Sequence, residues 1–199
     1  MNNFIIPQGL KPISIIFVLT LLSGTIFYNE TIFMFLVIVT LILVFVYRQS
    51  NHIIIRNDLE ILSISDGIIQ AIDKQKTTTT VYIKVSIFNT HTLRAPIDGT
   101  ITPISLRNGT NLNPNSFKSY KLNSMLEFKI SNINFNLLSG ICNSEIVPIE
   151  GSVIKGDSLG VFLDGIIKIT FKNKDIKLNV NIGEKVKSGK TIIAFKNQG

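Results

Sequence analysis

The distribution of apolar residues divides the chain into two parts. Two uncharged apolar runs open it, residues 12–28 and 31–47, and only Asn29 and Glu30 separate them. Each run is about 17 residues long, close to the lower limit for a helix that crosses a hydrocarbon core. We predict a membrane anchor of two transmembrane helices within residues 1–50. A shallow re-entrant hairpin is the alternative for runs this short.

The charges beside these runs predict their orientation. Lys11 precedes the first run, and Arg48 and Arg56 follow the second. Basic residues concentrate on the cytoplasmic side of a membrane. A cleaved signal peptide is the rival interpretation, but no small-x-small cleavage site follows the first run, and a second run comes at once. We therefore predict a protein of the cell (inner) membrane with its soluble domain and both termini in the cytoplasm.

Beyond residue 53 the pattern changes to short runs of alternating apolar and polar residues, broken by Gly, Asn and Pro. Residues 79–88 and 165–171 are the clearest of these runs. Alternation with a period of two is typical of strands that are buried on one side. No long segment with helical periodicity follows Tyr47. The sequence therefore predicts a mainly β protein in which residues 51–199 form an all-β barrel or sandwich domain.

Composition narrows the possible partners. The 199 residues carry a formal net charge of +7, but no Lys/Arg run with interleaved aromatic residues occurs, so we predict no nucleic-acid partner. A composition biased toward Ile, Lys and Asn is the simplest explanation of this excess, and attraction to an anionic phospholipid membrane is a secondary effect that we expect from it. The single cysteine, Cys142, excludes an internal disulfide, and we predict a small buried thiol there. We predict no metal site.

The C-terminal third carries the most specific motif. Residues 156–166 have the sequence GDSLGVFLDGI, and residues 180–194 contain the spaced pattern V-x-x-G-x-x-V-x-x-G-x-T-I-I-A. Three upstream segments follow in order: PQG at 7–9, SISDG at 63–67 and IFNTHTLRAP at 87–96. Together these segments resemble the phosphatidylserine decarboxylase family in its short, archaeal-type form. The turn phrases also resemble those of lipoyl and biotinyl carrier folds.

The resemblance implies a particular chemistry at one peptide bond. In that family a serine attacks the carbonyl of the preceding glycine, and the cleaved chain keeps an N-terminal pyruvoyl group that serves as the cofactor. Gly165 corresponds to the glycine, and Ile166 stands in the place of the serine. Isoleucine has no nucleophilic oxygen. We therefore expect no self-cleavage and no pyruvoyl cofactor in this chain.

The resemblance also implies roles for three further residues. Asp66 corresponds to a buried carboxylate that supports a base, and a turn residue with an Asx bond is the alternative. His91 corresponds to a general base, with a satisfied strand histidine as the alternative. Arg94 corresponds to a substrate-binding cation for lipid phosphate or carboxylate, with a structural salt bridge as the alternative. In this chain we expect the catalytic roles of Asp66 and His91 to be vestigial.

Ser144 and Glu145 stand where the family has two arginines, which disfavours a phosphorylated head group. The first hypothesis is therefore a membrane protein of phosphatidylethanolamine metabolism that does not process itself and is inactive alone. An active paralogue or a second copy of the chain is the partner this hypothesis implies. The alternatives are an active phosphatidylserine decarboxylase and a membrane-tethered, lipoyl-like adaptor domain. The adaptor is disfavoured because no lysine lies at a Met-Lys-Met-like hairpin apex.

Overall fold

The structure is a computed structural model that describes residues 5, 7–25, 30–48, 57–143 and 150–197. The chain divides into two units, residues 1–51 and 52–199. Each unit has its own internal packing and is described separately.

The first unit is a pair of helices, α1 (Pro7–Thr25) and α2 (Glu30–Val46). Thr20 and Thr40 lie across the pair with their hydroxyl oxygens 3.3 Å apart. Gly24 allows close approach, because a Cβ atom there would lie 3.1 Å from the ring of Phe33. The two helices confirm that each apolar run is helical, and Asn29, which lies between the runs, is outside the described residues.

The prediction that these helices cross a membrane is not supported. Within the described ranges, neither helix nor any other combines the length and the apolar composition that a membrane crossing requires. The 17 residues of α2 rise about 26 Å at 1.5 Å per residue, less than the ~30 Å of a hydrocarbon core. The 19 residues of α1 include Lys11 in their second turn, which shortens the apolar stretch.

The second unit is built from strands. Thirteen strands occur in its described residues, with a one-turn helix α3 (Ser119–Leu122) and a 3-10 turn at Asn173–Asp175. The strands are β1 (Glu60–Leu62), β2 (Gly67–Lys74), β3 (Thr78–Val85), β4 (Thr92–Arg94), β5 (Gly99–Arg107), β6 (Met125–Ile130), β7 (Ile133–Ser139), β8 (Gly151–Val153), β9 (Ser158–Val161), β10 (Gly165–Lys172), β11 (Ile176–Leu178), β12 (Lys185–Val186) and β13 (Ile192–Lys196). The mainly β prediction is confirmed for this part of the chain.

Eight of these strands form one sheet in the order β12-β2-β3-β10-β7-β6-β5-β8, and every pairing in it is antiparallel. The sheet has two ends and does not close, so the barrel alternative is wrong for the described strands. Closure would require β12 to pair with β8, and these short edge strands pair only inward. Two small sheets, β1-β13-β11 and β4-β9, accompany the large one.

Alternation along the strands separates the two faces of the large sheet. In β10, Ile167, Ile169 and Phe171 are buried in the hydrophobic core. The alternate residues of β10, such as Ile166 and Lys168, lie on the opposite face of the sheet. We call this face the open face. Phe128 and Phe135 stack within the core with ring centroids 5.2 Å apart. β10 lies between β3 and β7, so its first residues are held from both sides.

Among the described residues, Lys155 is the only buried lysine, and hydrogen bonds satisfy its buried ammonium. Its ammonium donates hydrogen bonds to the carbonyl oxygens of Asn57 and Glu60, each 2.5 Å away. Its backbone N–H donates to the Asp98 carboxylate at 2.5 Å. Burial lowers the pKa of the Lys155 ammonium, and the nearby Glu60 carboxylate opposes that shift. Lys155 thus links the residues at and just before the start of β1 to the loop before β9.

Candidate functional site

Gly165 begins the central strand β10 and lies opposite Val85 of β3 and Ser139 of β7. Its φ of +140° falls in a region that side chains with a Cβ rarely adopt. A Cβ atom there would lie 2.2 Å from the Leu138 carbonyl oxygen and 2.8 Å from the ring of Phe162. Both backbone conformation and packing therefore require glycine at this position.

Ile166 follows on the open face of the sheet. Its partners across the ladder are Lys84 on β3 and Leu138 on β7. The side chain is half-buried and lines a cavity of ≈ 370 Å³ together with Phe117, Tyr120 and Lys168, among others. The Gly165–Ile166 step thus presents a hydrocarbon side chain to this cavity.

Asp164 holds the chain just before this step. Its carboxylate accepts hydrogen bonds from the backbone N–H groups of Ile141 and Cys142, each at 2.9 Å. Its carbonyl oxygen accepts bonds from the Gly140 N–H at 3.0 Å and from the side-chain amide of Asn143. Asp164 was not among the residues predicted from the sequence. An Asp-Gly pair directly before a β run is nevertheless a signal for a carboxylate that accepts hydrogen bonds from backbone groups.

Cys142 lies in the same turn and is exposed, so the prediction of a buried thiol is wrong. Apolar small residues are usually buried, but here the turn after β7 presents its backbone to Asp164 and its side chains to solvent. Partial desolvation and the Asp164 carboxylate raise the pKa of the thiol. A raised pKa disfavours the reactive thiolate.

Asp66 is a buried carboxylate, 8% exposed, at the turn before β2. It accepts a 2.5 Å hydrogen bond from the Thr90 hydroxyl and a 2.7 Å bond from the Ser188 backbone N–H. The Ser188 hydroxyl lies 3.0 Å from the carbonyl oxygens of Ile64 and Thr92 and can donate its one proton to either. These partners lie 24 and 122 residues away in sequence, so Asp66 joins distant segments instead of capping its own turn. The expectation that this carboxylate is buried is met; its supporting role stays a prediction.

His91 is 1% exposed and directly follows Thr90. Its carbonyl oxygen accepts a 2.9 Å hydrogen bond from the Phe162 N–H, and the Phe162 ring packs against Gly165. Contacts therefore run from Asp66 through Thr90 and His91 to Phe162 and Gly165. These contacts link the segments that carry the three positions, and a shared site made by Asp66, His91 and Gly165 stays a prediction. A proton-transfer role for His91 stays a prediction.

Arg94 lies at the end of β4, where its guanidinium donates a 2.9 Å hydrogen bond to the Gly156 carbonyl oxygen. Burial lowers the pKa of the Arg94 guanidinium, and the Asp66 carboxylate opposes the shift. Arg94 is thus a partly desolvated cation within electrostatic range of Asp66. Ser144 and Glu145, which stand where arginines were expected, lie outside the described residues. In the described parts of the chain, no three His, Cys, Asp or Glu side chains form a group that could hold a metal ion.

Comparison with known proteins identifies the family to which the chain belongs. The sequence model of the phosphatidylserine decarboxylase family matches residues 43–194. The chain therefore belongs to the phosphatidylserine decarboxylase family. The match covers most of the β unit, which favours this family over the lipoyl-like adaptor alternative.

Individual relatives agree with that assignment. A phosphatidylserine decarboxylase proenzyme from Wolbachia sp. subsp. Brugia malayi is 28% identical over 178 residues, which cover 80% of this chain and 77% of the relative. A putative archaetidylserine decarboxylase proenzyme from Methanosarcina mazei is 29% identical, over 78% of this chain and 76% of the relative. A phosphatidylserine decarboxylase proenzyme from Syntrophus aciditrophicus is 27% identical over 96% of both chains. No solved structure matches the chain.

Proposed function

We propose that this chain is a member of the phosphatidylserine decarboxylase family that does not process itself and does not decarboxylate phospholipid alone. The observation that carries the proposal is the side chain at position 166. Ile166 follows Gly165 at the start of β10 and presents hydrocarbon to the adjoining cavity. The proposal places Ile166 where active members have the serine that attacks the glycine carbonyl.

The chemistry of that step needs an oxygen nucleophile on the residue after the glycine. The proton of that nucleophile must also pass to a base within hydrogen-bond reach. Isoleucine supplies neither an oxygen nor a proton, so the residues present do not fit a pyruvoyl group. Asp66 and His91 then have structural roles: Asp66 joins segments through Thr90 and Ser188, and the His91 backbone binds Phe162.

Lysines on the open face around Ile166, and not the arginines that Ser144 and Glu145 replace, support binding of an anionic phospholipid without conversion. Lys84 is the ladder neighbour of Ile166, and Lys121 and Lys168 line the same cavity as Ile166. Cations around an apolar cavity match an anionic amphiphile, whose head group and acyl chain need different surroundings. We propose that the protein acts in phosphatidylethanolamine metabolism at the cytoplasmic face of the cell membrane, as a lipid-binding partner of an active paralogue or of a second copy.

An active decarboxylase is the second candidate, and the names of the relatives favour it because they describe proenzymes of that reaction. Purified full-length protein incubated with phosphatidylserine vesicles separates the two candidates. We expect no phosphatidylethanolamine and no CO₂ above a protein-free blank, while an active decarboxylase assayed in parallel converts the same vesicles. Product formation that borohydride abolishes would favour the active enzyme, because borohydride reduces a pyruvoyl carbonyl.

A further inference from the structure

The segment between β5 and β6 exposes an aromatic side chain, Phe117, that is not part of the hydrophobic core. Phe117 is 93% exposed, and Tyr120 and Leu122 on the following turn are about half exposed. Tyrosine favours surroundings in which one end of the side chain meets apolar groups and the other meets water. Exposed apolar groups that cluster on one segment mark a contact surface. We call Phe117, Lys118, Tyr120, Lys121 and Leu122 the Phe117 surface.

This surface is built on a fixed support. The buried side chain of Asn123 donates to the carbonyl oxygens of Leu112 and Ser139, both at 2.7 Å, and accepts from the Leu112 N–H at 2.9 Å. Arg107 donates to the carbonyl oxygens of Tyr120 at 2.7 Å and of Asn123 at 3.0 Å. The turn that follows Phe117 is therefore held in place by buried and partly buried side-chain hydrogen bonds.

The charge of the segment selects the partner. Residues 107–124 contain three basic residues, Arg107, Lys118 and Lys121, and no Asp or Glu. The Lys168 ammonium lies 3.9 Å from the centroid of the Tyr120 ring and adds a cation beside the surface. Aromatic and leucine side chains among lysines suit the interface of an anionic bilayer, where apolar groups enter and lysines meet the head groups.

We propose that the Phe117 surface docks the β unit on an anionic phospholipid bilayer. The proposal rests on that part of the proposed function which places the protein at such a membrane, and it names the side chains that make the contact. Phe117, Tyr120 and Lys121 also line the cavity that Ile166 lines. A bilayer docked on this surface would therefore lie at the opening of that cavity, where a lipid head group could enter.

The absence of tryptophan from the chain provides a direct probe, because Phe117→Trp introduces a single tryptophan on the surface. Full-length Phe117→Trp is reconstituted in nanodiscs of phosphatidylcholine alone or mixed with phosphatidylglycerol. We expect a blue-shifted emission that lipids with brominated acyl chains quench, and only in the anionic discs. Replacing Lys118 and Lys121 by Gln in the same chain should lower the ratio of docked to undocked protein roughly thirtyfold.

Phe88→Trp is the matched control. Phe88 is 72% exposed on the turn after β3, and no lysine or arginine lies within three residues of it. We expect its emission to be unquenched in the same anionic discs. Equal quenching at both positions, or equal quenching in discs of phosphatidylcholine alone, would overturn the proposal. A blue shift at Phe117→Trp that follows protein concentration and not lipid would overturn it in favour of contact with a second copy.

The two proposals fail in different ways. Protein that does not associate with either disc contradicts the membrane location and the docking surface together. Protein that associates with anionic discs while Phe117→Trp stays unquenched contradicts the docking surface alone. Circular dichroism spectra that match the unsubstituted chain show that the substitutions leave the fold intact.

Discussion

Replacing Gly165 by alanine is expected to destabilise the protein far more than replacing Gly160 by alanine. The two glycines have nearly the same φ, +140° and +143°. An alanine at either position has a strain cost of about 1–3 kcal/mol. Only at position 165 does the new Cβ meet packed atoms, because the Leu138 carbonyl oxygen would lie 2.2 Å away, whereas nothing lies within 4 Å at position 160. Overpacking should add about 1–3 kcal/mol or more at Gly165.

Urea unfolding of the two full-length variants, followed by circular dichroism, measures this difference. Because the two glycines have nearly the same positive φ, the difference between the two free energies of unfolding chiefly reports the clash with the Leu138 carbonyl oxygen and the Phe162 ring. Equal losses of stability would show that the Gly165 position is less tightly packed than described. A larger loss at Gly165 would show that the fold itself requires glycine at this position, whether or not the chain is cleaved there.

Replacing Asp66 by alanine is expected to have the second large effect. The substitution leaves the buried Ser188 N–H and the Thr90 hydroxyl without their acceptor. An unsatisfied buried donor costs about 1–3 kcal/mol, so the loss in free energy of unfolding should lie at or above the upper part of that range. Asp66→Asn keeps one carbonyl oxygen as an acceptor and should recover part of the loss.

Asp73→Ala is the matched control for Asp66. Asp73 is exposed on β2, and its carboxylate accepts a hydrogen bond from the exposed Gln75 side chain. We expect a change within about 0.5 kcal/mol for this surface substitution. If Asp66→Ala and Asp73→Ala unfold at the same urea concentration, Asp66 does not join the segments that carry Thr90 and Ser188.

The sequence predicted those parts of the fold that depend on local pattern. Alternation along residues 79–88 and 165–171 identified β3 and β10, since each face of a strand repeats every second residue. The two apolar runs identified α1 and α2. Apolar content alone does not decide whether they cross a membrane, because a crossing also requires sufficient helix length.

The remaining features depend on contacts between distant residues. Whether the sheet closes is decided by β12 and β8, which lie at opposite ends of the strand order and far apart in sequence. The Asp66–Ser188 contact spans 122 residues, and no local motif indicates it. The Asp164 contacts to Ile141 and Cys142 arise because the turn after β7 lies against the start of β10. Resemblance to the family singled out Asp66 and His91, but it did not indicate the hydrogen bonds that these two residues make.

Intact-mass spectrometry of the purified full-length protein tests the central claim most directly. The proposal that Ile166 replaces the cleaving serine predicts a single uncut chain near 22.2 kDa, with no borohydride-reducible group. The opposite result would be two fragments whose masses account for the whole chain, the smaller of them blocked at its N-terminus. That result would contradict the assignment of Gly165 and Ile166 to the scissile pair.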